Sequence, residues 1–434
     1  MLVKYNLIYF KQFGFRSNHS CNHAVISMTE HIRSLLDKGH YVCGIFVDLE
    51  KAFDTVHHDI LCDKLQAYGL RGVVNNLLKS YLSNRKQFVS INGTDSALKD
   101  VTCGVPQGST LGPLLFLLYI NDFRLCLSET SSGHFADDTF IMFNSKKAKT
   151  IETVVNTELK EVIKWLRLNK LSLNAGKTEL IFFHSTKHKL DYENIYIYFD
   201  GIRLTPVDYV KYLGMYIDKH LNWNQHINEL SKKLSQANGI LSKLRYNMPL
   251  EVCIQVYYSN FYSLMIYGCN VWGLTSQKNI NKIEVLQNKC IRILKFLPFD
   301  AHIPNQTFID LKLLKVRDVI KVNQLKLVYD FQCANLPSDL LSLFEFSSQI
   351  RTRYQELNSV VNKLLYIPHF DTKTYGKVSL KYIAARLWNA TFKTGSIQVN
   401  ADRRKNVELS KIKTRHHLKN AVTRHYFYKY SLDV

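Results

Sequence analysis

Three aspartates stand where apolar segments end, and they are the side chains of this sequence best suited to chemistry. Asp48 follows the apolar run 41–47, and Asp137 and Asp138 stand together between two short apolar segments. Neighbouring carboxylates repel each other unless a cation lies between them, and a two-residue turn prefers Asn-Gly or Gly to Asp-Asp. Mg²⁺ takes oxygen ligands, and two such ions about 3.5–4 Å apart can activate a hydroxyl and stabilise a leaving group in phosphoryl transfer. We expect Asp48 and Asp137 to bridge two Mg²⁺ ions, with Asp138 as a weaker or outer ligand; ordinary solvated turn residues are the alternative.

Hydrophobic periodicity predicts the elements that position these aspartates. The unbroken apolar run 41–47 is typical of a strand buried on both faces, and 179–183 predicts a further strand. An amphipathic helix is expected over 150–168. The same patterns predict a helix over 58–68 ended by Gly69, a hairpin around Asn92-Gly93, a second hairpin turning near Gly214, and helices beyond His220 that include 280–297.

Composition indicates a folded chain with a polyanionic partner. The 434 residues carry 57 Lys+Arg against 36 Asp+Glu, a formal net charge of +21. Such an excess favours binding to phosphates, with a merely soluble basic surface as the alternative. At about 150 residues per domain, two or three folded units are expected. The final stretch from Ala401 is especially basic, which indicates solvated surface or a nucleic-acid contact.

Targeting and redox signals favour an intracellular protein, in the nucleus, the cytoplasm or both. The first ten residues lack the apolar core and cleavage site of a secretory signal. The longest apolar run, 114–120, is far shorter than the ~20 residues that span a bilayer, so no membrane partner is predicted. Nine scattered cysteines without a C-x-x-C motif predict thiols in a reducing compartment, most of them buried.

Several further motifs accompany the aspartates in a fixed order. They are Gln12-Phe-Gly-Phe-Arg-Ser17, Phe46-Val-Asp-Leu-Glu-Lys-Ala-Phe-Asp-Thr-Val56, Gly104-Val-Pro-Gln-Gly-Ser-Thr-Leu-Gly-Pro-Leu-Leu-Phe116, Phe135-Ala-Asp-Asp138, Leu173-Asn-Ala-Gly-Lys-Thr178 and Tyr212-Leu-Gly214. The ordered set, over about residues 10–300, resembles the reverse transcriptase domain of non-LTR (LINE-type) retrotransposons. The later segment 375–389 is also similar to one near the C-terminus of such elements.

This resemblance implies an α+β fold of the right-hand polymerase type. Residues 1–220 would form partial fingers and a palm with an antiparallel sheet, residues 221–300 a helical thumb, and residues 301–434 a basic C-terminal region of uncertain structure. The implied function is RNA-directed DNA synthesis by two-metal nucleotidyl transfer. The implied partners are an RNA template, a DNA primer and deoxynucleoside triphosphates, and the implied cofactor is Mg²⁺, with Mn²⁺ as a substitute. No oligomeric state is predicted.

The resemblance also assigns roles to single residues. It makes Asp48, Asp137 and Asp138 the catalytic metal ligands. The other assignments are Phe53 against the nucleotide sugar, where it would exclude a 2′-hydroxyl, Gln107 on the incoming nucleotide or template, Arg16 on phosphates, and Lys177 as proton donor to pyrophosphate. The plainer alternatives are a core Phe53, a loop around Gln107 that only forms a turn, and an exposed Lys177. A P-loop ending at Lys177 is excluded, since that motif needs Gly at position 171, which is Leu.

Template and primer contacts are expected from two further groups. Tyr212, Leu213 and Gly214 would hold the primer end, although ordinary hairpins contain Gly too. The helical region would lay cations along the template–primer duplex, namely Lys232, Lys233, Lys243 and Arg245. Recognition there would follow shape and phosphates rather than base sequence.

The sequence departs from the family pattern at its start. Only eleven residues precede Gln12, where the family has further fingers strands with basic residues for the triphosphate, and the upstream endonuclease of many such elements is absent as well. We therefore expect a truncated copy or partial gene model, with intact aspartates and an incomplete nucleotide pocket. A non-catalytic nucleic-acid-binding remnant is the alternative function, and an RNA-templated RNA polymerase is disfavoured by Phe53.

Overall fold

The computed structural model describes residues 5, 7–187, 190, 192, 194–347, 364–392, 396–397, 407–408 and 412–432. The chain divides into two compact units. Unit 1 comprises residues 1–24 and 39–213, and unit 2 comprises residues 25–38 and 214–434. Helix α1 (Cys21–Asp37) begins in unit 1 and continues in unit 2.

Unit 1 combines short strands with four helices. The strands are β1 (Tyr41–Val47), β2 (Arg85–Gln87), β3 (Ser90–Ile91), β4 (Thr94–Asp95), β5 (Lys99–Val101), β6 (Ser131–Phe135), β7 (Asp138–Ser145), β8 (Glu179–Phe183), β9 (Ile197–Phe199), β10 (Ile202–Leu204) and β11 (Tyr209–Tyr212). The helices are α2 (His58–Ala67), α3 (Val73–Leu82), α4 (Leu111–Ile120) and α5 (Ala148–Leu168), with a 3₁₀ turn at Asn121–Cys126.

A four-stranded sheet in the order β6-β7-β1-β8 lies at the centre of unit 1. Strand β1 pairs antiparallel with β7 on one side and with β8 on the other. Because β1 is an inner strand, Val42 through Val47 are all buried, as the apolar run predicts. Residues from α2, α4 and α5 share one apolar core with β1 and β8. The predicted strands 41–47 and 179–183 and the predicted helix over 150–168 are confirmed, the helix beginning two residues earlier.

The predicted turns are also present. Asn92 (φ 51°) and Gly93 (φ 80°) both adopt positive φ between β3 and β4, which is the requirement of the tight hairpin turn that Asn-Gly favours. Leu213 (φ 45°) and Gly214 (φ 78°) do the same after β11. Gly69 follows α2 with φ 88°, as expected of a glycine that ends a helix.

Unit 2 is mainly helical. Its further elements are β12 (Met215–Asp218), α6 (Asn224–Leu244), α7 (Leu250–Val256), a π-helical turn (Tyr257–Tyr262), α8 (Ser263–Ile266), α9 (Cys269–Trp272), α10 (Gln277–Lys295), α11 (Asn305–Asp310), α12 (Val316–Gln332), α13 (Ser338–Leu341), α14 (Leu380–Phe392), β13 (Ser396–Ile397), β14 (Val407–Glu408) and α15 (Arg415–Leu432). Helix α6 packs against α10, and α12 packs against both α14 and α15. The helix expected over 280–297 is therefore confirmed as α10.

The C-terminal part of unit 2 is bonded to α1. The carboxylate of Asp37 accepts hydrogen bonds from the backbone N–H and the hydroxyl of Thr372, at 2.8 and 2.7 Å. Glu30 accepts one from the N–H of Leu380 at 2.9 Å, where a carboxylate satisfies the open donors that begin α14. Residues 25–38 thus belong to the same packed body as the C-terminal helices.

Part of the predicted basic tail lies outside the described residues, including Lys405 and Lys411, whereas α15 carries Arg415 and Lys419. The division of the chain into domains at 220 and 300 stays a prediction. All nine cysteines are free thiols. Within the described ranges, the structure has no helix with the length and apolar character that crossing a membrane demands.

Candidate active site

The structure brings the three predicted aspartates together at one end of the central sheet. The register of β1 and β7 pairs Val47 with Thr139. Asp48 follows Val47 directly, and Asp138 directly precedes Thr139, so the two aspartates occupy facing positions at the strand ends. Facing residues of antiparallel strands have Cα atoms roughly 4.5–5.5 Å apart. Asp137 is the residue before Asp138, so all three carboxylates share one small region.

Their pKa values reflect this crowding. Burial raises the pKa of Asp137, and repulsion from Asp48 raises it further. For Asp138, burial followed by the charges of Asp137 and Asp48 raises the pKa to about 6. Asp138 is exposed as a whole residue, so water offsets part of the burial, and repulsion from Asp137 and Asp48 is the more important cause of its raised pKa. Carboxylates that raise one another's pKa form a site where a cation is favourable.

The turn that carries these residues differs from the prediction. Phe135 pairs with Asp138, so the two turn residues are Ala136 and Asp137, and Asp138 is already the first residue of β7. The turn dipeptide is therefore Ala136-Asp137, and the expectation of an Asp-Asp turn is wrong by one residue. The left-handed residue is Ala136, with φ 56°, a conformation that residues other than Gly, Asn and Asp seldom adopt.

The donor set suits Mg²⁺, although it is not a closed cage. Among the described residues, no three His, Cys, Asp or Glu side chains are clustered as a ready metal site. Mg²⁺ is commonly held by one or two carboxylates together with substrate phosphates and waters. The carboxylates of Asp48, Asp137 and Asp138 offer oxygen atoms of the kind that Mg²⁺ prefers, and their role as metal ligands stays a prediction.

A second segment supports Asp48, and sequence reasoning missed its main residue. The N–H of Asn174 donates to the carbonyl of Asp48 at 2.9 Å, and the N–H of Asp48 donates to Thr178 Oγ1 at 3.5 Å. The carbonyl of Asn174 accepts bonds from the N–H and the hydroxyl of Thr178, at 3.1 and 3.0 Å. Asn174 lies inside the motif 173–178, but only the pairing of Leu49 with Leu173 shows that the motif flanks Asp48.

Lys177 is exposed in this same turn. Its N–H donates to the carbonyl of Asn174 at 3.1 Å, so its backbone lies one short turn from the segment bonded to Asp48. Its role in protonating pyrophosphate stays a prediction.

Phe53 and Gln107 come together through a backbone contact. The N–H of Val105 donates to the carbonyl of Phe53 at 2.9 Å, and Gln107 Nε2 donates to Asp54 Oδ1 at 2.8 Å. The Phe53 ring is half-buried and stacks on Phe116 with centroids 4.3 Å apart. Phe53 can therefore be both a core residue and a contact for the nucleotide sugar, since one face of the ring packs on Phe116 while part of the ring is accessible.

Gly104 makes this contact possible. It has φ 87°, and a Cβ at this position would lie 2.8 Å from the carbonyl oxygen of Asp54. A side chain there would push the loop with Gln107 away from Phe53 and Asp54.

Arg16 is engaged by the backbone. Its Nη1 donates to the carbonyls of Tyr9 and Gln12, at 3.0 and 3.1 Å, and burial lowers its pKa. Arg16 therefore folds the segment 9–16 on itself in this structure. Its predicted contact with phosphates stays a prediction.

Tyr212 packs in the core of unit 1. Its ring is 3% exposed and lies 5.4 Å from the Phe46 centroid and 5.5 Å from that of Phe140. The turn residues Leu213 and Gly214 are more accessible. If this turn holds a primer, its backbone and not the tyrosine ring presents the contact surface.

The four predicted cations, three on α6 and Arg245 directly after it, differ from one another. Lys233 and Lys243 are exposed, whereas Lys232 forms an ion pair with Glu229 at 2.7 Å. Arg245 Nε donates to the carbonyl of Leu294 at 2.9 Å, and its guanidinium lies 4.2 Å from the Phe296 ring centroid. Lys233 and Lys243 are thus the better candidates for duplex contacts, and Arg245 connects α6 to the end of α10.

Comparison with known proteins identifies a family for this chain. Residues 1–217 match the family described as "Reverse transcriptase (RNA-dependent DNA polymerase)". The chain is 29% identical over 303 residues to a "Probable RNA-directed DNA polymerase from transposon BS" of Drosophila melanogaster, covering 66% of this chain and 33% of that protein. It is 28% identical over 321 residues to the "RNA-directed DNA polymerase from mobile element jockey" of Drosophila funebris, covering 71% and 34%.

Other similarities are weaker or more distant. A Pol polyprotein of the type-1 retrotransposable element R1 from Bradysia coprophila is 27% identical over 293 residues, covering 66% of this chain and 28% of that protein. The chain thus spans about a third of the length of these curated relatives. Among solved structures, telomerase from Candida albicans aligns with a TM-score of 0.36 and 12% identity, covering 67% of this chain and 52% of that one.

Proposed function

The chain belongs to the reverse transcriptase family, and from that premise we propose that it is the RNA-directed DNA polymerase of a non-LTR retrotransposon. A primer 3′-hydroxyl loses its proton to solvent and attacks the α-phosphorus of a deoxynucleoside triphosphate. A new P–O bond forms, the bond to the β-phosphate oxygen breaks, and pyrophosphate leaves. When held by these aspartates, Mg²⁺, or Mn²⁺ in its place, would lower the pKa of the hydroxyl and would neutralise charge on the phosphates.

The gathering of Asp48, Asp137 and Asp138 is the observation that carries this proposal. Asp48 directly follows β1, Asp137 lies in the turn before β7, and Asp138 is the first residue of β7. The pKa values of Asp137 and Asp138 are both raised by the charge of Asp48. Asp48 and Asp137 would hold the metal ions, and Asp138 would contribute negative charge beside them. The backbone hydrogen bond from the N–H of Asn174 to the carbonyl of Asp48 would hold this ligand in place.

Other residues would select and orient the nucleotide. The half-buried Phe53 ring, braced by Phe116, would pack against the sugar and exclude a 2′-hydroxyl. Gln107, oriented by Asp54, would contact the base or template. The exposed Lys177 would give a proton to the departing pyrophosphate, and Arg16 would meet phosphates only after releasing its two backbone carbonyls.

The template–primer duplex would lie along the exposed cations of unit 2. Lys233 and Lys243 offer exposed positive charge along α6, and the turn of Leu213 and Gly214 would contact the primer. Each phosphate contact releases counterions, so affinity should fall steeply with salt, with a log–log slope of about −0.9 per contact. The chemistry requires RNA and deoxynucleotides, so we place the protein in the nucleus or cytoplasm.

Primer extension on an RNA template with Mg²⁺ tests the proposal. We expect incorporation of deoxynucleotides by the wild-type chain and none by Asp137→Ala. The matched control is Asp59→Asn on α2, whose carboxylate is 92% exposed. Duplex binding without incorporation by the wild type would contradict the proposal, and efficient use of ribonucleotides would contradict the role of Phe53.

A further inference from the structure

We propose that Gln12 is a positioning residue for the aspartate turn. Its carboxamide oxygen holds Ala136 in the left-handed conformation and so sets the direction of the next side chain, Asp137. The inference rests on the proposed function only for the role of Asp137. That Gln12 holds the turn is a structural statement that does not depend on it.

The carboxamide of Gln12 is a buried acceptor shared by two segments. The side chain is 3% exposed. Its Oε1 accepts one hydrogen bond from the N–H of Gly14 at 2.9 Å and another from the N–H of Ala136 at 3.0 Å. The first contact closes the local loop, and the second crosses 124 positions of sequence to the turn before Asp137.

The backbone next to Gln12 brings it to the turn. The N–H of Phe13 donates to the carbonyl of His134 at 2.8 Å, and the N–H of His134 donates to the carbonyl of Lys11 at 2.9 Å. Gln12 and His134 form a parallel β-bridge. The segment 11–13 therefore pairs with the edge of β6 opposite β7, just before the chain turns at Ala136.

Gly14 shows how closely the two segments approach. A Cβ at this position would lie 2.5 Å from the backbone nitrogen of Ala136 and 3.1 Å from the carbonyl carbon of Phe135. Only glycine allows this approach, because such contacts are far inside van der Waals distance. The chain is thus shaped to place the Gln12 oxygen against the turn.

The conformation of Ala136 needs an external cause. With φ 56°, this alanine occupies a region that persists in residues with a Cβ only where the surroundings enforce it. Ala136 is 4% exposed, so its N–H must find an acceptor inside the protein. Gln12 supplies that acceptor. The bond is directional, so it fixes the peptide plane between Phe135 and Ala136, one residue before Asp137.

Substitution of Gln12 by Met removes the acceptor and keeps the length and volume of the side chain. The positioning role predicts a fall in kcat of about 10- to 100-fold, the range that misplacement by about 1 Å produces, with KM for the nucleotide within about twofold. It also predicts faster hydrogen exchange of the Ala136 amide, measured on peptides covering 135–138.

A second substitution separates positioning from plain core packing. Glycine adopts positive φ without strain, so Ala136→Gly in the Gln12→Met background should recover at least about a third of the lost kcat. The matched control is Gln287→Met, since Gln287 is 1% exposed and bonds Tyr257 and Leu314 in unit 2. That variant should lower Tm while the per-molecule kcat of the folded protein stays within about twofold.

The outcomes are distinct from those of the proposed function. If the wild type incorporates nucleotides but Gln12→Met matches it in kcat and in Ala136 exchange, the positioning role is overturned alone. A kcat loss that tracks Tm and shows no recovery with Ala136→Gly also overturns it. If the wild type shows no incorporation, the proposed function fails, and the exchange measurement still decides whether Gln12 holds the turn.

Discussion

The surrounding protein shifts the pKa values of Glu158 and of the aspartate group in unit 1 in opposite directions. Glu158 on α5 is 5% exposed. It accepts hydrogen bonds from the N–H groups of Ser128, Glu129 and Thr130 and from the hydroxyls of Ser128 and Thr130. Burial alone would raise the pKa of Glu158, but the bonds from Glu129, Ser128 and Thr130 outweigh it and lower this pKa to about 2.

The aspartate group shows the reverse. Burial and mutual repulsion raise the pKa of Asp137 and bring that of Asp138 to about 6. The charge of a carboxylate that stabilises the fold is stabilised by protein hydrogen-bond donors, as at Glu158. The aspartates instead lie where burial and neighbouring negative charges raise their pKa values. Such perturbed pKa values are typical of functional sites.

Asp48→Asn tests whether the aspartates act as metal ligands. The variant keeps shape and backbone contacts but removes one ligand charge, so we expect nucleotide incorporation to fall by about 10³-fold or more. Folding should survive, because the substitution relieves repulsion. Single-turnover extension measures the loss and circular dichroism checks the fold. A variant that retains a tenth of wild-type activity would mean that Asp48 is not a metal ligand.

The corresponding change at the structural carboxylate is Glu158→Leu. It leaves several buried donors without an acceptor, and we expect the free energy of unfolding to fall by about 3 kcal/mol. At a temperature where the variant is still folded, its incorporation rate should stay within about threefold of wild type. Urea denaturation followed by fluorescence provides the free energy. Glu161→Leu, an exposed position on the same helix, is the control and should change stability by less than about 0.5 kcal/mol.

The pKa values predict opposite pH responses. Protons compete with Mg²⁺ for the aspartates, so below about pH 6 more metal is needed: the Mg²⁺ concentration for half-maximal incorporation should be about tenfold higher at pH 5 than at pH 7. The folded-state pKa of Glu158 is depressed, so its contribution to stability is full above its ordinary pKa of 4.5 and is lost as pH falls towards 2. Metal titrations at several pH values and acid denaturation measure the two effects separately. A half-maximal Mg²⁺ concentration that stays constant from pH 5 to 7 would contradict the first.

The sequence predicts well those features that depend on neighbours along the chain. Strand β1 has the bounds of its apolar run because an inner strand needs apolar residues on both faces. The turn at Asn92-Gly93 follows from the tolerance of these two residues for positive φ. The grouping of Asp48 with Asp137 and Asp138 is expected because all three end apolar segments, and neighbouring carboxylates there indicate a shared cation.

Features that depend on distant partners were not predictable. Nothing in the local sequence marks Ala136 as left-handed, because the cause is an oxygen of Gln12, 124 positions away. The support of Asp48 by Asn174 appears only once β8 is placed beside β1. The carboxylate of Asp37 fixes Thr372 at a separation of 335 residues, and a pattern-based analysis of either segment alone contains no sign of it.

The Tm of Asp138→Asn, with and without Mg²⁺, distinguishes charge repulsion from burial as the cause of the raised pKa of Asp138. In the folded chain the pKa of Asp138 exceeds its ordinary value of 3.8, so ionising this group destabilises the fold as pH rises from about 4 to 6. Asp138→Asn removes that charge and should raise Tm at pH 7 in EDTA by about 2 °C. With saturating Mg²⁺ the gain should shrink or reverse, because the cation neutralises the same repulsion in the wild type. Differential scanning calorimetry with and without metal measures both values, and Asp95→Asn on the exposed strand β4 serves as control. Equal gains with and without Mg²⁺ would show that no cation binds beside Asp138.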